Sequence, residues 1–387
     1  MHRCSFRLRI ALIGLLGSLT VLAALALVIA RPARAQPTAT FTVTNTLDDG
    51  SAGSLRWAVQ QANLTPAFDT INVTANGTVT LVFGQIVISN PLFINGPGAS
   101  FFVVDAAQTG RIFSVTQASG GVTLNGIKLI NGLIASGNGG AIESDASLTL
   151  SGMLFYNNSA SRGGGAVSLQ TAPLLLSSTD FISNSAGLIG GGVNVEYGSL
   201  NMSAGSMLSN TAWEGGGAFV RYDASLGGAS IGANRATVGG GGLYVDSGYL
   251  TATNTTFSAN TAQHGGGAYV ARDVSLSGSA FTGNTSAGPY NGGGLYAGGA
   301  GSSVVSGTTF SANSAGGNGG GLYLNAGSLV LTHTQFLLNS AGKDGGGLNV
   351  AAGSLTAANS SFFTNTALNK YGGGAWTVAD GTLWFTE

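Results

Sequence analysis

Two unrelated markers recur along this chain with a single period, and that period restricts the folds open to it. The last glycine of each Gly block falls at 140, 165, 192, 217, 242, 267, 294, 321, 347 and 374, nine steps averaging 26 residues. Asparagines at 158, 184, 210, 234, 260, 284, 313, 339 and 365 keep the same pace. Between the markers come an apolar–aromatic–apolar triplet such as Leu243-Tyr244-Val245 and a turn with a Ser-Leu pair such as Gly327-Ser328-Leu329. A polar stretch then leads to Phe257, Asn260 and Ala262 or their equivalents. Glycine blocks at this spacing break α-helices. A propeller blade needs about 40 residues or more. The triplets and the stretches after Ser-Leu alternate apolar and polar with period two, which predicts strands. One turn of a three-sided parallel coil takes about 22 to 30 residues. The expected fold is therefore all-β, a right-handed parallel β-helix whose coils bury their apolar residues only by stacking.

The same register assigns faces. The first and third triplet positions, such as Ala218 and Val220 or Leu243 and Val245, are expected inside. The second position is expected outside, where Phe219, Tyr244, Tyr269, Tyr296 and Tyr323 make an aromatic stripe that Asn349 interrupts before Trp376. Stacking places Asn158, Asn184, Asn210, Asn234, Asn260, Asn284, Asn313, Asn339 and Asn365 in a column about 4.8 Å apart. Such amides hydrogen-bond to one another, so this column reads as structural. The Gly blocks are expected at a tight corner needing positive φ or close approach of coils.

Four segments follow. Arg3, Arg7 and Arg9, the apolar run Ile10 to Ala30 and the Ala33-Arg34-Ala35 site read as a secretory signal peptide over residues 1–35. Left uncleaved, that run is long enough for a membrane anchor. Residues 36–69 form a cap region, in which Leu55, Ala58, Val59 and Ala62 have helical spacing. Residues 70–137 supply the first coils, with Asn131 read as one period before Asn158. Residues 138–387 carry the Gly-block repeats, and the last coil is incomplete.

Charge narrows the partners. After Ala35 there are nine Lys and Arg against fifteen Asp and Glu, and the basic residues are scattered, so a nucleic-acid surface is not expected. The single cysteine, Cys4, precedes the apolar run, so no disulfide staples the exported part. The histidines do not pair at metal-ligand spacing, and no metal or cofactor is expected.

Gly139-Gly140-Ala141-Ile142 and Gly164-Gly165-Ala166-Val167, with Phe155…Asn158 and Phe181…Asn184, resemble the repeats of the chlamydial polymorphic outer-membrane proteins. Those pair a Gly-Gly-Ala-(Ile/Val/Leu) tetrapeptide with Phe-x-x-Asn. The head, Gly53-Ser54-Leu55-Arg56 through Ala62-Asn63, resembles the CSLREA-type domain that precedes such β-helices in exported bacterial proteins. Later blocks depart from the pattern, and Met207 and Ile231 replace Phe. The resemblance implies an exported cell-surface or secreted protein.

Candidate chemistry lies outside the coils. Glu196, Arg221 and Asp246 each stand four residues after the last Gly of successive coils, predicting one column of alternating sign. Beside the aromatic stripe, it is the expected ligand-contacting surface, with a polysaccharide or an envelope protein as partner. The alternative is a carbohydrate-active enzyme, a lyase or hydrolase using paired carboxylates. Arg221 counts against it, because a cation between two carboxylates neutralises both rather than splitting their pKa values. A third reading is a purely structural envelope protein. Gly228-Ala229-Ser230-Ile231-Gly232 matches G-x-S-x-G, but Ile231 holds the Phe position of the repeat, so Ser230 belongs to a strand and not to a nucleophile elbow. No catalytic residue is assigned.

Overall fold

The computed structural model describes residues 38–116, 120–368, 371–377 and the backbone of 383–386. The signal segment, 1–35, lies outside the described residues.

From Thr38 onward the chain is a parallel β-helix. The coil around Tyr244 illustrates the plan. A triplet strand, Leu243–Val245, is followed by Leu250–Thr253, by Thr256–Ser258 bearing Phe257, and by the short strand Thr261–Ala262. Each pairs in parallel with its counterpart one coil away, Leu243 with Ala268 and Phe257 with Phe281. Among the described residues the triplet strands build a sheet of twelve, the short strands one of ten, and the two middle columns join as one of 24.

Alternation decides what is inside. Ala218, Val220, Leu243, Val245, Ala268, Val270, Leu322, Leu324, Leu348 and Val350 are all buried. The Phe position fills the centre of the coil with stacked rings: Phe257–Phe281 at 4.6 Å, Phe281–Phe310 at 5.0 Å and Phe310–Phe336 at 4.9 Å. A fully buried Phe contributes about 1.5–3 kcal/mol by transfer alone. Met207 and Ile231 are buried in the same column, where they keep it apolar without a ring.

The asparagines point inward too. Asn260 donates through Nδ2 to the Ile231 carbonyl at 2.8 Å and to Asn284 Oδ1 at 2.9 Å. Its own Oδ1 accepts from both the backbone N–H and Nδ2 of Asn234, at 3.0 Å each. The pattern runs unbroken to Asn365. Asn131 is not its first member. It pairs with Asn157, one place earlier, and the backbone N–H of Gly132 takes the ladder position by donating to Asn158 Oδ1 at 2.8 Å. A 27-residue step in place of 26 shifted that residue off the column.

The Gly blocks do two jobs at adjacent positions. Gly215 has φ +63°, the left-handed turn that opens the corner. Gly216 has no such angle, but a Cβ there would strike the Gly241 carbonyl oxygen of the next coil.

The head differs from expectation in its order. A strand, Thr40–Val43, precedes the helix and pairs in parallel with Thr70–Val73, so the solenoid starts about thirty residues before the expected boundary at 70. Its Thr-Phe-Thr-Val sequence alternates, and Val43 is buried. The helix α1, Leu55–Ala62, is inserted after that strand and buries Leu55, Ala58, Val59 and Ala62. Ser54 caps it by accepting from the Trp57 N–H at 3.2 Å. Arg56 pairs with the buried Asp48 at 2.8 Å and donates to the Gly84 and Gln85 carbonyls, tying the helix to the coil beneath.

Asn260→Ala should lower stability by about 3 kcal/mol, since it strips the acceptor from two buried Asn234 donors and a donor from the Ile231 carbonyl. Ser225→Ala, on the exposed outer face, should stay within about 0.5 kcal/mol. Urea denaturation compares them, and equal midpoints would contradict the ladder's role.

Candidate functional site: the outer face of the triplet sheet

The second triplet positions form an axial column on the outer face, Asn194 to Phe219 to Tyr244 to Tyr269 to Tyr296 to Tyr323 to Asn349. Their rings stack on one another, with centroids 5.4, 4.6, 4.7 and 5.1 Å apart and interplanar angles of 13°, 14°, 12° and 29°. This corrects the expected flat exposed strip. In-register strands set the rings one coil apart, so each face is covered by the next ring and only edges look outward. Phe219 and Tyr323 are just 4% and 7% exposed. The corner preceding the Gly block adds cover: His264 lies edge-on to Tyr296 at 5.6 Å, and a Cβ at Gly239 would stand 2.9 Å from the Tyr244 ring.

Burial shows in the chemistry of the stripe. It pushes the phenols of Tyr244, Tyr269 and Tyr323 up, and that of Tyr296 up to about 12. These hydroxyls stay protonated at neutral pH.

The charged column assembles at the end of the triplet strands. Arg221 Nη2 binds Glu196 Oε1, Nε reaches the same oxygen at 3.1 Å, and Nη1 reaches Asp246 Oδ2 at 3.2 Å. The hydrogen bond to Glu196 holds the Arg221 guanidinium above its ordinary pKa, against some burial. Asp223 and Asp273 brace turns, accepting from the Tyr249 and Gly301 N–H groups.

Sequence reasoning passed over the tyrosines beside this column. Tyr197, Tyr222 and Tyr249 are 56%, 45% and 48% exposed. Arg221 lies over the Tyr197 ring at 5.5 Å and Arg272 over Tyr249 at 5.7 Å. The available signal was adjacency, since Tyr197 and Tyr222 directly follow Glu196 and Arg221.

Glu214 and His264 sit two coils apart on the corner, with Gly239 between them. Burial, then the Asp246 charge, pushes the Glu214 carboxyl up, and burial pushes the His264 imidazole down. Ser230 is exposed on the strand Ser230–Gly232, away from any strand-to-helix turn. Among the described residues no group of His, Cys, Asp and Glu is placed to hold a metal ion, and no helix is long and apolar enough to cross a membrane.

A raised carboxyl binds its proton more tightly folded than unfolded. Stability is therefore lost as pH climbs through the window above the ordinary glutamate value of about 4.3. Glu214→Gln should raise Tm relative to the parent at about pH 7 and change it little at about pH 3.5. Equal shifts at both pH values would show that the effect is packing rather than ionisation.

Residues 217–387 match the family described as right handed beta helix region, and residues 152–170 match the Chlamydia polymorphic membrane protein repeat. No curated protein and no solved structure matches the chain. The second match spans Phe155, Asn158 and the Gly164-Gly165-Ala166-Val167 tetrapeptide, which the fold uses for ring stack, amide ladder and corner. The fold and both matches make this chain a right-handed parallel β-helix repeat protein whose repeats are like those of the Chlamydia polymorphic membrane proteins.

Proposed function

We propose that this is an exported surface protein, delivered by its N-terminal signal segment, whose β-helix binds an elongated glycan along the outer corner of the triplet sheet. The observation that carries this reading is the grouping of three exposed tyrosines, Tyr197, Tyr222 and Tyr249, around the Glu196–Arg221–Asp246 column. A sugar ring offers an apolar face to an aromatic and hydroxyls to charged groups, and this corner supplies both in successive coils. The stacked stripe behind it acts as stiffening. The polymorphic-membrane-protein repeat supports a surface or outer-membrane location. We read the head as a CSLREA-type cap, with Arg56 clamping it to the first coils.

Lyase or hydrolase chemistry has weaker support, because Arg221 compensates both Glu196 and Asp246.

On a glycan array, the protein should retain elongated oligosaccharides. Replacing Tyr197, Tyr222 and Tyr249 together by Ser should weaken the best ligand by roughly tenfold or more, as expected for the loss of several surface ring contacts. Replacing Tyr244, Tyr269 and Tyr296 should instead lower Tm, because those rings are packed. Undiminished binding by the first triple variant would overturn this assignment.

A further inference from the structure

We propose that the groove beside Tyr197 is a subsite for the acetamido group of an N-acetylated amino sugar, an inference that rests on the glycan-binding reading above. The groove, about 280 Å³, lies where the polar end of the axial column meets the charged corner. That is just under the usual ligand-pocket range of about 300–1,000 Å³. It suits one substituent and part of a ring rather than a chain.

Its unusual member is Asn194. This residue occupies the stripe position directly in register with Phe219 and is 1% exposed. Its Nδ2 donates to Ser168 Oγ at 3.2 Å, while Oδ1 has no partner among the described residues. A buried amide oxygen left without a donor destabilises the fold. The next coil shows that an apolar side chain fits this column. A polar group kept there at a cost points to a donor supplied from outside.

The remaining walls define that donor's surroundings. Leu188 and Ile189 give an apolar side, and Arg162 stands at the rim with no carboxylate within ion-pair distance among the described residues. Gly163, buried behind this wall, gives Asn194 and Ile189 room, since a Cβ there would stand 2.9 Å from Asn194 Nδ2 and 3.0 Å from Ile189 Cγ1. An acetamido group satisfies all of these at once. Its N–H donates to Asn194 Oδ1 once that amide, closed to solvent in the empty groove, turns outward; its carbonyl accepts from the Arg162 guanidinium, and its methyl lies on Leu188 and Ile189. The pyranose ring then extends to exposed Tyr197. A plain hydroxyl supplies the donor but leaves the apolar wall unfilled.

Titration calorimetry of the full chain with N-acetylglucosamine tetramer, its deacetylated counterpart and cellotetraose tests this. The acetylated tetramer should bind roughly tenfold or more tightly than either of the others, the scale expected when one buried hydrogen bond is gained. Asn194→Leu should fold with an unchanged or higher Tm and lose that preference. Gly163→Ala, whose Cβ crowds Asn194 Nδ2 and Ile189 Cγ1, should lose it as well. Binding of all three tetramers alike, or a preference that survives in both variants, overturns the subsite and leaves the glycan-binding reading in place. A chain that binds no glycan, on the array or in the calorimeter, overturns both.

Discussion

Each coil is joined to the next by hydrogen bonds along the axis, and at one corner the backbone cannot make them alone. The residue before each ladder Asn turns into the left-handed region: Ser183, Ser209, Ala233, Ala259, Ala312 and Leu338 all have φ between +52° and +56°. The N–H that follows is buried and cannot reach a carbonyl of the adjoining coil. The Asn side chain of the next coil supplies the acceptor, so the sharp corner and the buried amide column require each other. Coil length is free to vary elsewhere. Ladder contacts span 24, 26 or 29 residues of sequence, yet the amide distances stay between 2.9 and 3.0 Å. The extra residues of the longest coil leave at the Gly288 and Ala300 turns, outside the column.

Much of this was legible because β-structure stacked in register turns a one-dimensional period into spatial columns. The Gly step, the Asn step and the alternation inside the triplets fixed the fold, the interior positions and the Glu196–Arg221–Asp246 column without reference to any contact. Thr40–Val43 was missed because a lone strand before a helix carries no repeat to align it. Asn131 was misplaced because one residue of drift in spacing moves a side chain to a different corner.

The candidate site was read less well, and for one reason. Period-two alternation says which way a side chain points but not what stands beside it. Tyr244 and its neighbours do point outward, yet stacking hides their faces. Tyr197, Tyr222 and Tyr249 sit past the ends of the strands, where alternation assigns nothing, and there rings stay open to solvent. Asn194 was passed over for a related reason: its significance is an unmet hydrogen bond, and unmet bonds leave no mark on a sequence.

The amide column also has a direction. Each ladder Asn from Asn158 to Asn339 aims its Nδ2 at the Oδ1 of the following coil, so the side-chain carbonyls face the N-terminal end. Aligned in this way, the amide dipoles reinforce one another along a dry channel, as peptide dipoles do along an α-helix. The solenoid therefore carries an axial polarity inside a largely apolar core. A coil joining from the C-terminal side meets two waiting donors, and one joining from the N-terminal side meets a waiting acceptor. The two directions of growth are chemically distinct, which gives assembly of the coils a built-in sense.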